Sequence, residues 1–496
     1  MKRLIVAGLI LAIAGCGGGS TNTAPTASIA SLLTTERPYF VDKTDTMPDL
    51  RPYFDKLCGN DTQVGDFLVI DFNGDGLSDI VMSLWCDMSW DRSLVGTAYN
   101  GPIKNTLLLI RQKSDHTFYI ANQEYFGKDI VPLSGAGGPG LMTYGDYNND
   151  GKVDFAFARS KEDGRKYVTL ADGTSNWATN PQVLMSTPTG FELQTLPYYF
   201  VNNTIVGTKN YNGVDEIIIG GRKFSYINNA WIMTGELPSA SVSNVFTKNN
   251  NQYMLTNVDD RNIMGLSLYR IDKNGYTVIN SYILGNISYA KFTDPANTAA
   301  ETSQQIATIN GETWLWGSLQ GSCNAGMSGN KNIFYILAQG VPIKNYDPNK
   351  TYVYGTDIMN YDFVGKLLKV TIDGETITSI DWVGDTITYN KDILCVDVNK
   401  DGNVDVIVNR WLDNTYNPIN QTTNPYVFFN IGSQYVRVPD NRFPQASNTF
   451  HGQNTNFFDL NNDGKLDLIY TLGGFKDKNY TGPVRIQLFL ADKTLD

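Results

Sequence analysis

An all-β fold of repeated sheets is what the sequence predicts, and three observations carry that prediction. Among 496 residues there are 46 Gly, 28 Tyr and 23 Phe, a composition of aromatic strands and many turns. Of the 50 acidic residues only nine are Glu, and aspartate serves turns and oxygen-ligand loops better than it serves helix surfaces. Finally, the nine-residue pattern DxNxDGxxD occurs four times, each time beside a short β-branched or aromatic run.

The chain opens with Met1, Lys2 and Arg3, then runs apolar from Leu4 to Ala14. A charged start followed by a short apolar core has the form of a secretory signal and is too short to span a bilayer as a helix. Ile13-Ala14-Gly15-Cys16 looks like the cleavage box of bacterial lipoproteins, which implies a signal over 1–15 and a lipidated Cys16 at the mature N-terminus. Residues 16–36 are small, polar and Pro-containing and form a flexible tether. Gly17 after the cysteine implies sorting to the outer membrane, on its periplasmic side or at the cell surface. Loss of Lys2 and Arg3 leaves 37 basic against 50 acidic residues, which argues against nucleic acid as a partner.

The four patterns are Asp71, Asn73, Asp75 and Asp79; Asp146, Asn148, Asp150 and Asp154; Asp397, Asn399, Asp401 and Asp405; and Asp459, Asn461, Asp463 and Asp467. Carboxylates this closely spaced repel one another unless a cation sits among them. Oxygens at positions 1, 3, 5 and 9, with the carbonyl of position 7, can wrap an ion in six or seven contacts at about 2.3 to 2.6 Å. Hard oxygen donors in a flexible loop favour Ca²⁺, so about four structural calcium ions are expected. An EF-hand would need Glu at position 12 and flanking helices. Here position 12 is Met82, Phe157, Val408 and Tyr470, and the flanks, such as Phe67–Ile70 and Ile80–Met82, are strand-like.

On these loops and their flanking strands the chain resembles the FG-GAP or VCBS repeat family, whose blades form β-propellers. The resemblance implies an all-β propeller over 37–496. Loop spacings of 75 residues (Asp71 to Asp146) and 62 residues (Asp397 to Asp459) each accommodate one four-stranded blade. A degenerate copy runs from Thr208 to Glu216, a weaker one lies at Asn257–Asp260, and a blade without a loop fits around 300–370. Seven blades result, with six or eight as alternatives, and Arg37–Val41 is the candidate strand for closing the ring.

Cys58 and Cys86 form a candidate disulfide, while Cys395 is either a buried thiol or the partner of Cys323. The two histidines, His116 and His451, read as surface residues. Trp90, in a loop with Asp87, Asp91 and Arg92, is the candidate ligand-binding aromatic, since sugar faces stack on rings. Trp314 and Trp316 alternate as in a strand with one buried face. The functional expectation is a lipid-anchored calcium-binding adhesion or binding module for a glycan or an envelope or host protein. A polysaccharide lyase or hydrolase, or an envelope scaffold, is the alternative; no catalytic residues stand out, so an enzyme is the less favoured class.

Overall fold

The computed structural model describes the chain from Phe40 to Ala491, apart from segments 87–105, 134–141, 158–165, 170–174, 199–204, 237–242, 294–301, 358–363, 411–424 and some shorter ones. Cys16, the tether and Trp90 therefore lie outside the described residues. The described chain is almost wholly β, with two short α-helices, α1 (Arg51–Leu57) and α2 (Asn122–Phe126). Among the described residues no helix is long and apolar enough to cross a membrane.

Five four-stranded antiparallel sheets and one long meander account for nearly all strands. Sheet I holds Thr62–Ile70, Asp79–Cys86, Thr106–Gln112 and Phe118–Ile120; sheet II holds Met142–Gly145, Asp154–Phe157, Gln182–Thr187 and Gly190–Thr195. Sheet III is Ile205–Lys209, Asp215–Ile219, Arg222–Ile227 and Ala230–Glu236. Sheet V is Asn390–Val396, Asp405–Arg410, Tyr426–Ile431 and Gln434–Arg437. Sheet VI joins Phe450–Phe458, Asp467–Phe475 and Gln487–Ala491 to an N-terminal strand, Phe40–Asp42. That strand pairs Phe40 with Ala491 and Asp42 with Phe489, so the two ends of the described chain meet in one sheet as the sequence anticipated.

The meander between Ser243 and Thr388 is continuous, because one long strand changes partner along its length and a second is shared by strands on both sides. Residues 275–286 of Gly275–Thr293 pair backward with Ile263–Asp272, whereas 287–292 pair forward with Thr302–Ile309. Gly285 stands at the switch, where a Cβ would come within 1.9 Å of the Thr308 carbonyl oxygen, so only glycine fits. Glu312–Ser328 is shared: residues 312–315 pair with Thr302–Ile309, and residues 314–328 pair with Lys331–Pro342, so Trp314 and Leu315 have strand neighbours on both sides. Trp314 is fully buried in this region's core, while Trp316 is 38% exposed and donates its indole N–H to Gln304 Oε1 at 3.1 Å. The Trp314–Trp316 pair is thus split between core and surface, and the cause is backbone: Trp316 has φ of 52°, which breaks the strand alternation.

Two sequence expectations change. Asn257–Asp260 is strand, with Asn257 opposite Leu266 and Asp259 opposite Met264, so no loop exists at the weaker copy. In sheet III the loop is shorter than the frame from Thr208 to Glu216 assumes: Thr208 and Lys209 are still strand, and Lys209 pairs with Asp215. Asp215 therefore takes the place that position 9 holds elsewhere, as in Ile70–Asp79 and Val396–Asp405.

The first strands of successive sheets touch in chain order. Thr62–Ile70 meets Met142–Gly145, which meets Ile205–Lys209, which meets Ser243–Lys248, which meets Glu312–Ser328, which meets Asn390–Val396. Sheet V then meets Phe450–Phe458, and sheet VI meets Thr62–Ile70. Cys323 and Cys395 are disulfide-bonded with Cα atoms 5.5 Å apart, tying the meander to sheet V and resolving which of the two readings of Cys395 holds. Cys58 is also disulfide-bonded. The backbone of Cys86 pairs with Thr62, four residues beyond Cys58, while the Cys86 side chain lies outside the described residues. His116 is exposed in a turn, as expected.

Helix α1 buries Phe54 against sheet VI, edge-on to Phe475 with ring centroids 5.9 Å apart. Because that contact joins the N-terminal segment to the C-terminal sheet, Phe54→Ala should destabilise the whole chain by about 3–5 kcal/mol. Urea denaturation should show this as a lowered midpoint in one transition; a separate early transition would instead mark the N-terminal segment as an independent unit.

Candidate metal loops

The four acidic loops share one backbone path. Position 1 anchors it: Asp146 Oδ1 accepts Asp150 N–H at 2.9 Å and Asp146 Oδ2 accepts Gly151 N–H at 2.8 Å. Asp397 does the same for Asp401 (3.1 Å) and Gly402 (2.9 Å), and Asp459 for Asp463 (3.0 Å) and Gly464 (2.8 Å). Asp71 takes Gly74, Asp75 and Gly76. The position 3 amide oxygen accepts the position 5 N–H, as Asn73 does for Asp75 at 2.8 Å. Position 5 accepts the position 7 N–H, as Asp401 Oδ1 does for Asn403 at 2.7 Å. Glycine at position 6 has φ of 86°, 84°, 88° and 84° in the four loops, the left-handed turn that the wrapping requires.

Position 9 lies behind the loop and is hydrogen-bonded to the backbone from two directions. Asp79, Asp154, Asp405 and Asp467 are fully buried. In three loops one oxygen accepts the position 2 N–H: Tyr147 on Asp154 (2.8 Å), Val398 on Asp405 (2.9 Å) and Leu460 on Asp467 (2.8 Å). In the first loop Asn73 Nδ2 donates to Asp79 instead, at 2.9 Å. The other oxygen accepts a backbone N–H from the third strand of the same sheet: Gln112, Ser186, Asn430 and Ala491 respectively. These third-strand donors are backbone groups, so no residue-type signal could have revealed them.

Position 2 was a spacer in the pattern, yet it is buried in every loop, as Phe72, Tyr147, Val398 and Leu460. Each inserts into the core shared with the next sheet. Phe72 lies edge-on to Phe155 of sheet II, Tyr147 lies edge-on to Trp231 of sheet III, Val398 joins Phe457 of sheet VI, and Leu460 joins Ile110 of sheet I. A consistently apolar residue between Asp and Asn was the available signal. Neighbouring loops also touch directly: Asn462 Nδ2 donates to Gly76 O at 3.2 Å, and Gln112 Nε2 to Leu460 O at 2.9 Å.

Burial, with the like charges of the loop behind it, pushes the Asp79 and Asp405 carboxyls up to about 7 and Asp467 to about 6; Asp154 is raised by burial as well. Among the described residues no lysine or arginine pairs with Asp154, Asp405 or Asp467, and no group of three acidic, His or Cys side chains converges on one point. The loop acids are turned toward backbone N–H groups. In sheet III the corresponding Asp215, which is only partly buried, is held by the Lys209 ammonium, and its buried neighbour Glu216 lies 3.1 Å from Lys223 Nζ.

Residues 397–470 match an FG-GAP-like repeat, a stretch that spans the third loop, the last three strands of sheet V and the fourth loop. No curated protein matches the chain. A crystal structure of the polysaccharide lyase Uly1 aligns over 75% of this chain and 95% of its own, at 8% identity and a TM-score of 0.30. A likeness that slight carries no conclusion about fold or chemistry.

A carboxyl whose folded pKa lies above its unfolded value loses stability as pH rises between the two. In chelator the protein should therefore gain thermal stability as pH falls from about 7 toward about 5, and Asp405→Asn with Asp467→Asn should flatten that slope. Asp405→Ala, which strands the buried N–H groups of Val398 and Asn430, should cost about 2–4 kcal/mol by urea denaturation.

Proposed function

We propose that the protein is a calcium-stiffened β-propeller of seven blades that works as a lipid-anchored binding module at the cell envelope. The circuit of first strands supports this reading most directly: each touches the next, and the last sheet, completed by the N-terminal strand, returns to the first. In this arrangement sheets I, II, III, V and VI are one blade each. The meander supplies two, the first ending at residue 286 and the second starting at residue 318, with the intervening strands as an insertion.

The loops suit a hard divalent cation. Each offers two carboxylates and an amide oxygen at its mouth, carbonyl and carboxylate oxygens that accept one N–H keep a lone pair for a metal, and a buried aspartate stands behind them. Asp71, Asn73, Asp75 and Asp79 with their counterparts in the other three loops would hold the ion. Calcium would supply the positive charge that the buried position 9 carboxylate lacks, and so stiffen the wedge at position 2.

The topology supports assigning scaffold and binding to opposite ends of each sheet. The acidic loops join first strands to second strands; the long connections 87–105, 158–181 and 411–425 join second to third, and so leave from the opposite edge of each sheet. Loops on that edge are free to vary while calcium braces the other. Trp90 belongs to one of them, and a ring face beside Asp91 and Arg92 suits a sugar. Cys16, freed at the end of the signal over 1–15, would attach the propeller to the outer membrane through the 16–36 tether.

Chelation should lower the melting temperature by roughly 10 °C or more, and calcium should restore it; a melting curve indifferent to both would sink the metal reading. On a glycan array the full chain should retain a carbohydrate without cleaving it, and Trp90→Ala should abolish retention while leaving the melting temperature unchanged. Release of shortened, unsaturated or reducing-end products from a polymer would instead mark a lyase or hydrolase.

A further inference from the structure

The four acidic loops are not equivalent, and the difference lies in one side chain outside the pattern. Arg111 precedes Gln112, the third-strand residue whose N–H caps Asp79. The residues in the same place before Ser186, Asn430 and Ala491 are Met185, Phe429 and Leu490, all apolar. At this third-strand place, among the described residues, the first loop alone meets a cation.

Arg111 Nη2 donates to Asp75 Oδ2 at 2.8 Å, the outer oxygen of the position 5 carboxylate. Its Nη1 is held by Glu124 Oε1 at 2.8 Å, and its guanidinium lies 5.9 Å from the Tyr119 ring centroid, Tyr119 itself donating to Glu124 Oε2 at 3.0 Å. The same oxygen has neutral partners in the second and third loops, Asn148 Nδ2 and Ser186 Oγ on Asp150 and Asn399 Nδ2 on Asp401, each at 3.2 Å. In the fourth loop Asp463 Oδ2 accepts Lys465 Nζ at 3.0 Å, but that lysine is position 7 of the loop itself and offers a single ammonium in place of a fork. Arg111 is clamped on its far side by an acid and a ring. Asn73 also reaches behind the loop, its amide nitrogen donating to Asp79 Oδ2 at 2.9 Å.

We infer that Arg111 is the resident counter-ion of the first loop, so that this loop binds a divalent cation much more weakly than the other three. The inference rests on the calcium reading above and changes its stoichiometry: three tight ions per chain, with sheet I neutralised largely from within. Sheet III carries the same device to completion, since Lys209 holds Asp215 where the loop has shortened. A guanidinium beside a would-be ligand both occupies its oxygen and repels the incoming ion.

Calorimetric titration of the chelator-treated full chain with calcium chloride should resolve three sites of similar affinity and a fourth at least about tenfold weaker. Arg111→Gln should bring the fourth within about threefold of the rest. Four equal sites in the unaltered chain, or a fourth site unmoved by Arg111→Gln, would overturn the assignment while leaving calcium binding intact; no uptake at any site would retire the calcium reading itself. Should Arg111→Gln fail to fold, a second pair decides: Asp75→Asn should keep all three tight sites, and Asp401→Asn should keep two. Loss of a tight site in Asp75→Asn would refute the proposal.

Discussion

A buried aspartate that accepts backbone N–H groups from two directions is the interaction on which the architecture depends. Asp154, Asp405 and Asp467 each hold the N–H of a loop residue and the N–H of a third strand. The loop residue so held carries the apolar side chain that enters the next sheet's core. Without the carboxylate, two buried N–H groups lose their partners and the wedge loses its support, each loss costing roughly 1–3 kcal/mol. Sheet pairing and sheet stacking are thus coupled through one side chain.

That coupling also explains why the acids are arranged around a turn rather than spread along a surface. Position 1 organises the loop's N–H groups and position 6 makes the left-handed turn, so the loop is shaped by its own hydrogen bonds before any ion is considered. The cost is a carboxylate at zero exposure beside other carboxylates. The chain meets that cost in more than one way: backbone N–H groups from two directions at Asp154, Asp405 and Asp467, and a guanidinium over the first loop.

The meander follows a different logic. It has no acidic loop, and its continuity comes from one strand long enough to pair with one neighbour and then another, switching at the close-packed Gly285, and from a second shared by strands on both sides. Its core is anchored by Trp314 and Phe334, and its tie to sheet V is covalent, through Cys323 and Cys395. Where the loops brace neighbouring sheets elsewhere, here a disulfide and interleaved strands do so.

The sequence by itself determined the strands beside the acidic patterns and the four loops, because alternation, Asp–Asn–Gly spacing and turn glycines are local signals whose physics acts within about ten residues; the N-terminal strand was a candidate only through the family resemblance, and its pairing with the last sheet is a long-range contact. The sequence placed Trp314 and Trp316 together on one buried strand face and was wrong for Trp316, since a left-handed φ inside a strand leaves no trace in residue type. Only the tertiary structure decided that position 9 is a brace, that position 2 is a wedge, that Asp215 replaces Glu216 in register, and that Arg111 stands over the first loop and no other. Each of those depends on which backbone N–H or side chain a distant strand delivers to the site, and that delivery is set by sheet register and stacking, which no short stretch of chain encodes.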